Sequence, residues 1–373
     1  MIESSKRKAS HPLQSMCSYL GSFPPYVPRS LIARWIPTDA LVLDPFCGAG
    51  TTLVEAVLTG RSAIGSDMNP LAVAISSAKV QAVTIDEVMY RVGSIARDFE
   101  PIFDLTEVPD QVHLIFHERT IQQLCFLKEE LTDSPEDIFL RGAVLGIMHG
   151  KIRRDGSSAY LSIDMPNTFS MSPEYVRNYV KKHGLAYRPV DVFSKLRERA
   201  KWLLRDGALA SAERAKVFKG DATQINHLLS SEDREIGGIV TSPPYLGVLR
   251  YGAFNWIRLW FLSDTPFAVD SRLDTTDSLD KYLSFMATFL LGASEVLPTG
   301  APVVLVIGDV VEKGQHLDLA GRVWEELEGV IPYTLECIAE DNFDVNDKTT
   351  RIWGSERKGR ATPTDRVLVL RRS

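Results

Sequence analysis

Short buried runs alternate with helical stripes along the chain. Residues 40–43 form an apolar run of the kind a buried parallel strand shows. Asp44-Pro45 stops it, and Gly48 and Gly50 permit a sharp turn with close backbone approach to a ligand. From Thr51 onward, Leu53, Val54, Val57 and Leu58 fall on one helical face, with Gly60 as the C-terminal stop. Residues 62–66 read as the next strand, closed by Asp67. Asn69-Pro70 opens a helix whose apolar face carries Leu71, Ala74, Ile75 and Ala78. Buried runs at 216–220, 236–240 and 302–307 read as further strands, and 334–339 with 366–370 as a closing antiparallel pair. The pattern predicts an α/β fold: a seven-stranded, mostly parallel sheet with helices on both faces. A long departure at 85–215 has helical periodicity at 120–131 and 192–204, which predicts a large, mainly helical insertion.

Charge divides that insertion. Asp86 to Leu140 holds 13 Asp/Glu against 4 Lys/Arg, whereas Lys151 to Arg205 holds 12 Lys/Arg against 5 Asp/Glu. Its basic half contains a flexible loop, Lys151, Arg153 and Arg154 before Gly156-Ser157-Ser158. It also contains a helix with Lys195, Arg197, Arg199, Lys201 and Arg205 opposite Phe193, Leu196, Ala200 and Leu203. Such a face is either solvated surface or a phosphate contact. His113 and His117 stand at the spacing of a zinc pair, but HLIFH lacks the HExxH glutamate and no cysteine cluster accompanies it, so no metal is expected.

The bulk properties narrow the setting. A chain of 373 residues with 45% hydrophobic content and a net charge of −6 is an ordinary globular protein without a globally basic coat. The four cysteines (Cys17, Cys47, Cys125, Cys337) form no CxxC and suggest a reducing compartment. Residues 1–10 are polar and read as disordered, with no apolar signal segment, and no run approaches membrane-spanning length. A cytoplasmic protein without a membrane partner is expected.

The strand–turn–helix–strand unit ending in Asp67 suits a nucleoside, because an acid there accepts hydrogen bonds from ribose hydroxyls. A dinucleotide site would require a third glycine, and the position three after Gly50 is Leu53. A nucleoside cofactor without a pyrophosphate fits better, and S-adenosylmethionine is such a cofactor. DPFCGAGTT followed by GSDMNPLA resembles the cofactor motif of the amino-DNA methyltransferases, which methylate cytosine N4 or adenine N6. The resemblance implies a Rossmann-like methyltransferase sheet and S-adenosyl-L-methionine held by Asp44, Pro45, Phe46, Cys47, Gly48, Gly50, Thr51, Thr52, Asp67 and Met68. It adds Phe23 from the segment upstream, and Asp221 with Ala222 after VFKGD. Phe23-Pro24-Pro25-Tyr26 imitates a catalytic PPY, but an apolar first residue accepts no hydrogen bond, so that quartet reads as structural.

Ser242-Pro243-Pro244-Tyr245 follows the apolar run 236–240. An exocyclic amine is a poor nucleophile until its N–H groups are held by acceptors, here Ser242 Oγ and the Pro243 carbonyl, on a backbone fixed by Pro243 and Pro244. Tyr245 offers a face to an extruded base. The absence of any Pro-Cys dipeptide argues against cytosine-C5 chemistry. Within the resembled family, serine in the first position is associated with cytosine N4, which leaves adenine N6 as the alternative. The resemblance covers 11–84, the cofactor-binding half, and 216–373, the catalytic half, including YGAFNWIRLWF and the closing IWGSERKGRATPTDRVLVL. Two departures stand out: the catalytic motif follows the cofactor motif, and the insertion precedes the Asp221 strand. The resemblance implies site-specific methylation of a flipped cytosine in double-stranded DNA, in a restriction–modification or host-marking system with a possible cognate endonuclease. The insertion 85–215 is then the candidate target-recognition region, and Lys151, Arg153, Arg154, Lys195, Arg199, Arg351 and Lys358 are candidate DNA contacts. An RNA amino-methyltransferase and a DNA-binding homologue without turnover remain as other readings, and the oligomeric state is open.

Overall fold

A computed structural model describes residues 10–209, 214–230, 232–244, 246, 251–273, 278–312, 315–342 and 361–373. Its strands are β1 (Leu41–Asp44), β2 (Ser62–Asp67), β3 (Ala215–Lys219), β4 (Ile236–Thr241), β5 (Pro302–Glu312), β6 (Gln315–Leu317), β7 (Tyr333–Asn342) and β8 (Ala361–Arg372). They form one sheet in the order β3-β2-β1-β4-β5-β8-β7. Strands β3, β2, β1, β4 and β5 pair in parallel, while β8 runs antiparallel between β5 and β7. The expected seven strands are present, and the short β6, antiparallel to β5, is an eighth that the hydrophobic pattern did not announce.

Strand alternation divides the core between the two faces. Val42, Val240, Val304 and Val306 point into one apolar cluster, and Leu41, Leu43, Ile239, Val303, Leu305 and Ile307 into the other. Because β2 lies on one side of β1 and β4 on the other, the chain reverses direction across the sheet at β1. Open α/β sheets bind ligands at the strand carboxyl ends beside such a reversal.

The predicted helices appear as Thr51–Leu58, Pro70–Lys79, Glu118–Glu130 and Val192–Leu203. Asn69 caps the second through its side chain, as Asn-Pro signals. Further helices of the insertion span Ile85–Asp98, Pro135–Ile147 and Pro173–His183. Helix Pro135–Ile147 lies so close to Pro70–Lys79 that a methyl group on Gly142 would strike Ala78, and one on Gly146 would strike the Met16 carbonyl. Leu71, Ile75 and Ala78 therefore share one apolar cluster with Phe139, Ala143 and Leu196. The insertion completes the layer over residues 41–79, and packing draws no boundary between them. Among the described residues no helix is long and apolar enough to cross a membrane.

Candidate active site

The carboxyl ends of β1, β2 and β4 open into one cleft. Its floor begins at Asp44, the last residue of β1. The Asp44 carboxylate accepts hydrogen bonds from Thr241 Oγ1 at 2.6 Å and from the Phe46 N–H at 3.3 Å. Gly48 follows in the left-handed region at φ +48, where an added Cβ would stand 3.3 Å from the Tyr19 ring. Gly50, at φ +71, initiates the helix Thr51–Leu58 and does not line the cleft. A Cβ there would come within 2.8 Å of Ser76, so this glycine serves packing between helices and not approach to a ligand. Thr52 is likewise buried beneath the cleft.

The close helix–strand contact usually supplied by a third glycine has moved to the strand. Gly65 on β2 faces Leu53, and a Cβ at Gly65 would lie 2.7 Å from Leu53 Cδ1 and 2.9 Å from Cys47 Cβ. At the end of β2, Asp67 Oδ2 accepts from the Gly48 N–H at 2.9 Å and Oδ1 from the Asn69 N–H at 2.8 Å. Each oxygen keeps a second lone pair for a ligand hydroxyl. Burial raises the pKa of Asp44 and of Asp67 from 3.8 to about 6, against the opposing effect of these hydrogen bonds. Burial and the neighbouring Asp67 also push the Cys47 thiol well above its ordinary range, which keeps it protonated.

The opposite wall comes from three places distant in sequence. Phe23 lines the cleft together with Leu20 and Ser22, and Phe285 reaches in from the helix Leu279–Val296, its ring 5.7 Å from that of Phe46. Asp221 lines it too, with Oδ1 accepting from the Thr223 N–H at 2.9 Å. Ser242, Pro243 and Pro244 complete it at the end of β4. Ser242 Oγ donates to the Val306 carbonyl at 3.0 Å, which commits its proton to β5 and leaves its lone pairs as acceptors.

The sequence of this segment has known counterparts. Residues 3–78 match the N6_N4_Mtase family model, described as DNA methylase. The match makes this segment similar to the DNA methylases. A type II methyltransferase of Methanocaldococcus jannaschii, M.MjaII, is 31% identical over 84 residues, which span 22% of this chain and 16% of that protein. Similar solved structures include TrmN from Thermus thermophilus, at 12% identity and a TM-score of 0.35, covering 95% of this chain and 50% of that one. The rRNA methyltransferase aviRa from Streptomyces viridochromogenes shows 12% identity and a TM-score of 0.38, covering 98% and 94%. Likenesses of this size identify no substrate.

Around this segment, the cleft gathers Phe23, Asp44, Pro45, Phe46, Cys47, Gly48, Thr51, Asp67, Met68, Asp221, Ala222 and Ser242 with its two prolines. Tyr245, Arg351, Lys358 and residues 1–9 lie outside the described residues. Tyr19 and Tyr251, which sequence reasoning missed, line the cleft with rings stacked at 5.6 Å and 25°. Asn69 Nδ2 donates to the Tyr19 hydroxyl at 2.9 Å. Of the basic candidates, Lys151, Arg153 and Arg154 are exposed, and Lys195 pairs with Glu198 at 2.8 Å. The Arg199 guanidinium is bonded to the carbonyls of Ser15 and Met16 and lies over Trp202, so it anchors the N-terminal segment. His113 and His117 have local partners as well: His113 Nε2 meets the Leu105 carbonyl at 3.2 Å, and His117 caps Glu118–Glu130.

Proposed function

We propose that the chain is an S-adenosyl-L-methionine-dependent DNA methyltransferase that modifies the exocyclic N4 of a cytosine extruded from the duplex. One observation carries this reading: Ser242-Pro243-Pro244 lines the same cleft as Gly48 and Asp67. The residues fit the cofactor. Asp67 retains acceptor capacity for ribose hydroxyls, Phe46 and Phe285 offer apolar faces to an adenine, and Gly48 keeps the turn free of a side chain. When bound, the cofactor supplies an electrophilic methyl on a sulfonium. Ser242 and the Pro243 carbonyl hold the N–H groups of the target amine, so that the nitrogen lone pair is released from the ring. Pro243 and Pro244 fix this geometry before the base arrives. The stacked pair Tyr19 and Tyr251 forms an aromatic wall against which an extruded ring is sheltered from water.

Methylation of this kind suits a restriction–modification or host-marking system with a cognate endonuclease. Nucleoside mass spectrometry of duplex DNA treated with the protein and isotopically labelled cofactor tests the reading. N4-methylcytosine is expected. Labelled N6-methyladenine would reassign the base, and label found in RNA but not in DNA would overturn the substrate class.

A further inference from the structure

We infer that the exposed helix Pro173–His183, with the basic loop before it, is the surface that holds the DNA duplex beside the target base. The inference rests on the DNA methyltransferase reading above. The helix touches the body through little besides Val176, which is buried, and Val180, which is partly so. Tyr175 and Tyr179 stack at 5.8 Å and 16°, and the His183 ring lies 4.4 Å from that of Tyr179. By spacing, Lys182 joins Tyr175 and Tyr179 on one side, and Arg177 and Lys181 share another. An aromatic ladder left in water, with Tyr175 40% exposed, is not explained by core packing.

Charge favours a polyanion. From Lys151 to Arg188 there are 7 Lys/Arg against 3 Asp/Glu, in a chain whose net charge is −6. Lys151, Arg153, Arg154, Arg177, Lys181 and Lys182 are all exposed. The loop and helix are neighbours, since the Asp164 carboxylate accepts from the Ile152 N–H at 2.7 Å and its charge also reaches Tyr179. The helix is also tied to the cleft. Directly before it, Met171 and Ser170 are pinned to the 251–257 segment, through Trp256 Nε1 to the Met171 carbonyl and the Ser170 N–H to the Phe254 carbonyl, each at 2.8 Å. That segment begins with Tyr251 of the cleft wall, and Thr168 Oγ1 donates to Ser18 Oγ beside Tyr19. Basic side chains here can bind phosphates, while the tyrosine hydroxyls add neutral phosphate contacts that fix register.

The test is fluorescence-anisotropy titration of a duplex with the full chain between about 50 and 200 mM salt. The triple variant Arg177→Gln, Lys181→Gln, Lys182→Gln should lower the log–log salt slope by about 0.9 for each phosphate no longer neutralised, up to about 2.7. Its cofactor affinity by calorimetry should match the wild type. Tyr175→Phe with Tyr179→Phe should weaken duplex binding up to about tenfold, at unchanged slope. Unchanged slope and affinity in the triple variant, with DNA still methylated by the wild type, would overturn the surface and spare the enzymatic reading. A reduced slope in a protein that methylates no DNA would uphold the surface and sink that reading. A weakening confined to structured RNA would overturn the assignment to DNA.

Discussion

With S-adenosylmethionine in the cleft as proposed, the buried acid at the end of β2 should make its binding depend on pH within an accessible range. Asp67 must be ionised to accept hydrogen bonds from two ribose hydroxyls, yet burial raises its pKa to about 6 in the free protein. The apparent dissociation constant is the intrinsic one divided by the ionised fraction. That fraction is nearly complete at pH 7.5 and falls to about one in eleven at pH 5, so affinity should drop about elevenfold. Asp44 also titrates near 6 and supports the same loop. Asp67→Asn should bind more weakly at pH 7.5, and whatever pH dependence it retains belongs to Asp44. Stability moves the other way. Each carboxyl has a folded pKa above its unfolded 3.8, so the stability it contributes is complete below about pH 4 and lost as pH rises through about 6. Acidification from pH 7 to 5 should therefore stabilise the free protein through these groups while shrinking the thermal shift produced by the cofactor. Calorimetric titration with S-adenosylmethionine at the two pH values decides the matter. Affinities within twofold of one another would refute an ionised Asp67 as the ribose acceptor.

Other perturbations separate catalysis from architecture. Ser242→Ala removes the acceptor whose proton is held by Val306, and single-turnover methyl transfer should slow by about 100- to 1000-fold at nearly unchanged cofactor affinity. Wild-type rates in that variant would remove Ser242 from the chemistry. Gly65→Ala forces a methyl group against Leu53 and Cys47, and should destabilise the fold by about 1–3 kcal/mol in urea denaturation while weakening cofactor binding. Arg258 is fully buried and donates to the carbonyls of Leu145 and Thr168 and to Asn255 Oδ1. Arg258→Met leaves those acceptors without their donor and should cost about 3 kcal/mol or more, read as a lowered denaturation midpoint. A neutral effect would mean that removing a buried charge offsets the missing hydrogen bonds.

Much of this site is legible in the sequence because its strands are short apolar runs with chemistry at their carboxyl ends. DPFCGAGTT, Asp67, Asp221 and SPPY each follow such a run, and the parallel topology brings the ends together. What escaped reading depends on packing across long separations. Nothing local marks Tyr19 or Tyr251 as cleft residues, since their partnership joins positions 232 residues apart. Gly50 looks like a ligand glycine because the pattern G-x-G cannot distinguish approach to a cofactor from approach to Ser76. The role of Gly65 was hidden for the complementary reason, as its partner Leu53 lies on a different element. Arg199 carries the charge of a DNA contact, and only the three-dimensional path of residues 15–16 shows its guanidinium committed to their carbonyls. A signal did exist for the insertion. Gly142 and Gly146, one turn apart in an apolar helix, mark a face on which backbones meet, and that face lies against the helix Pro70–Lys79 and Met16.

The two motifs are joined more directly than their separation suggests. Thr241 immediately precedes Ser242, and its hydroxyl donates to Asp44, which immediately precedes the cofactor loop. Asp44 also accepts from the Phe46 N–H, so one buried carboxylate holds the start of that loop and the approach to Ser242 together. On the other side, Ser242 is fixed to β5 through Val306, and Asp67 draws the Gly48 N–H toward β2. Four neighbouring strands thus set the geometry through four side chains, with no dependence on where along the chain each motif occurs. This accounts for how the motif order can differ from the pattern common in SPPY enzymes without altering the arrangement at the cleft. The sheet requires only that β1 and β4 be adjacent and parallel, and that neighbouring pair tolerates an intervening insertion because its helices pack over residues 41–79, where they complete the core.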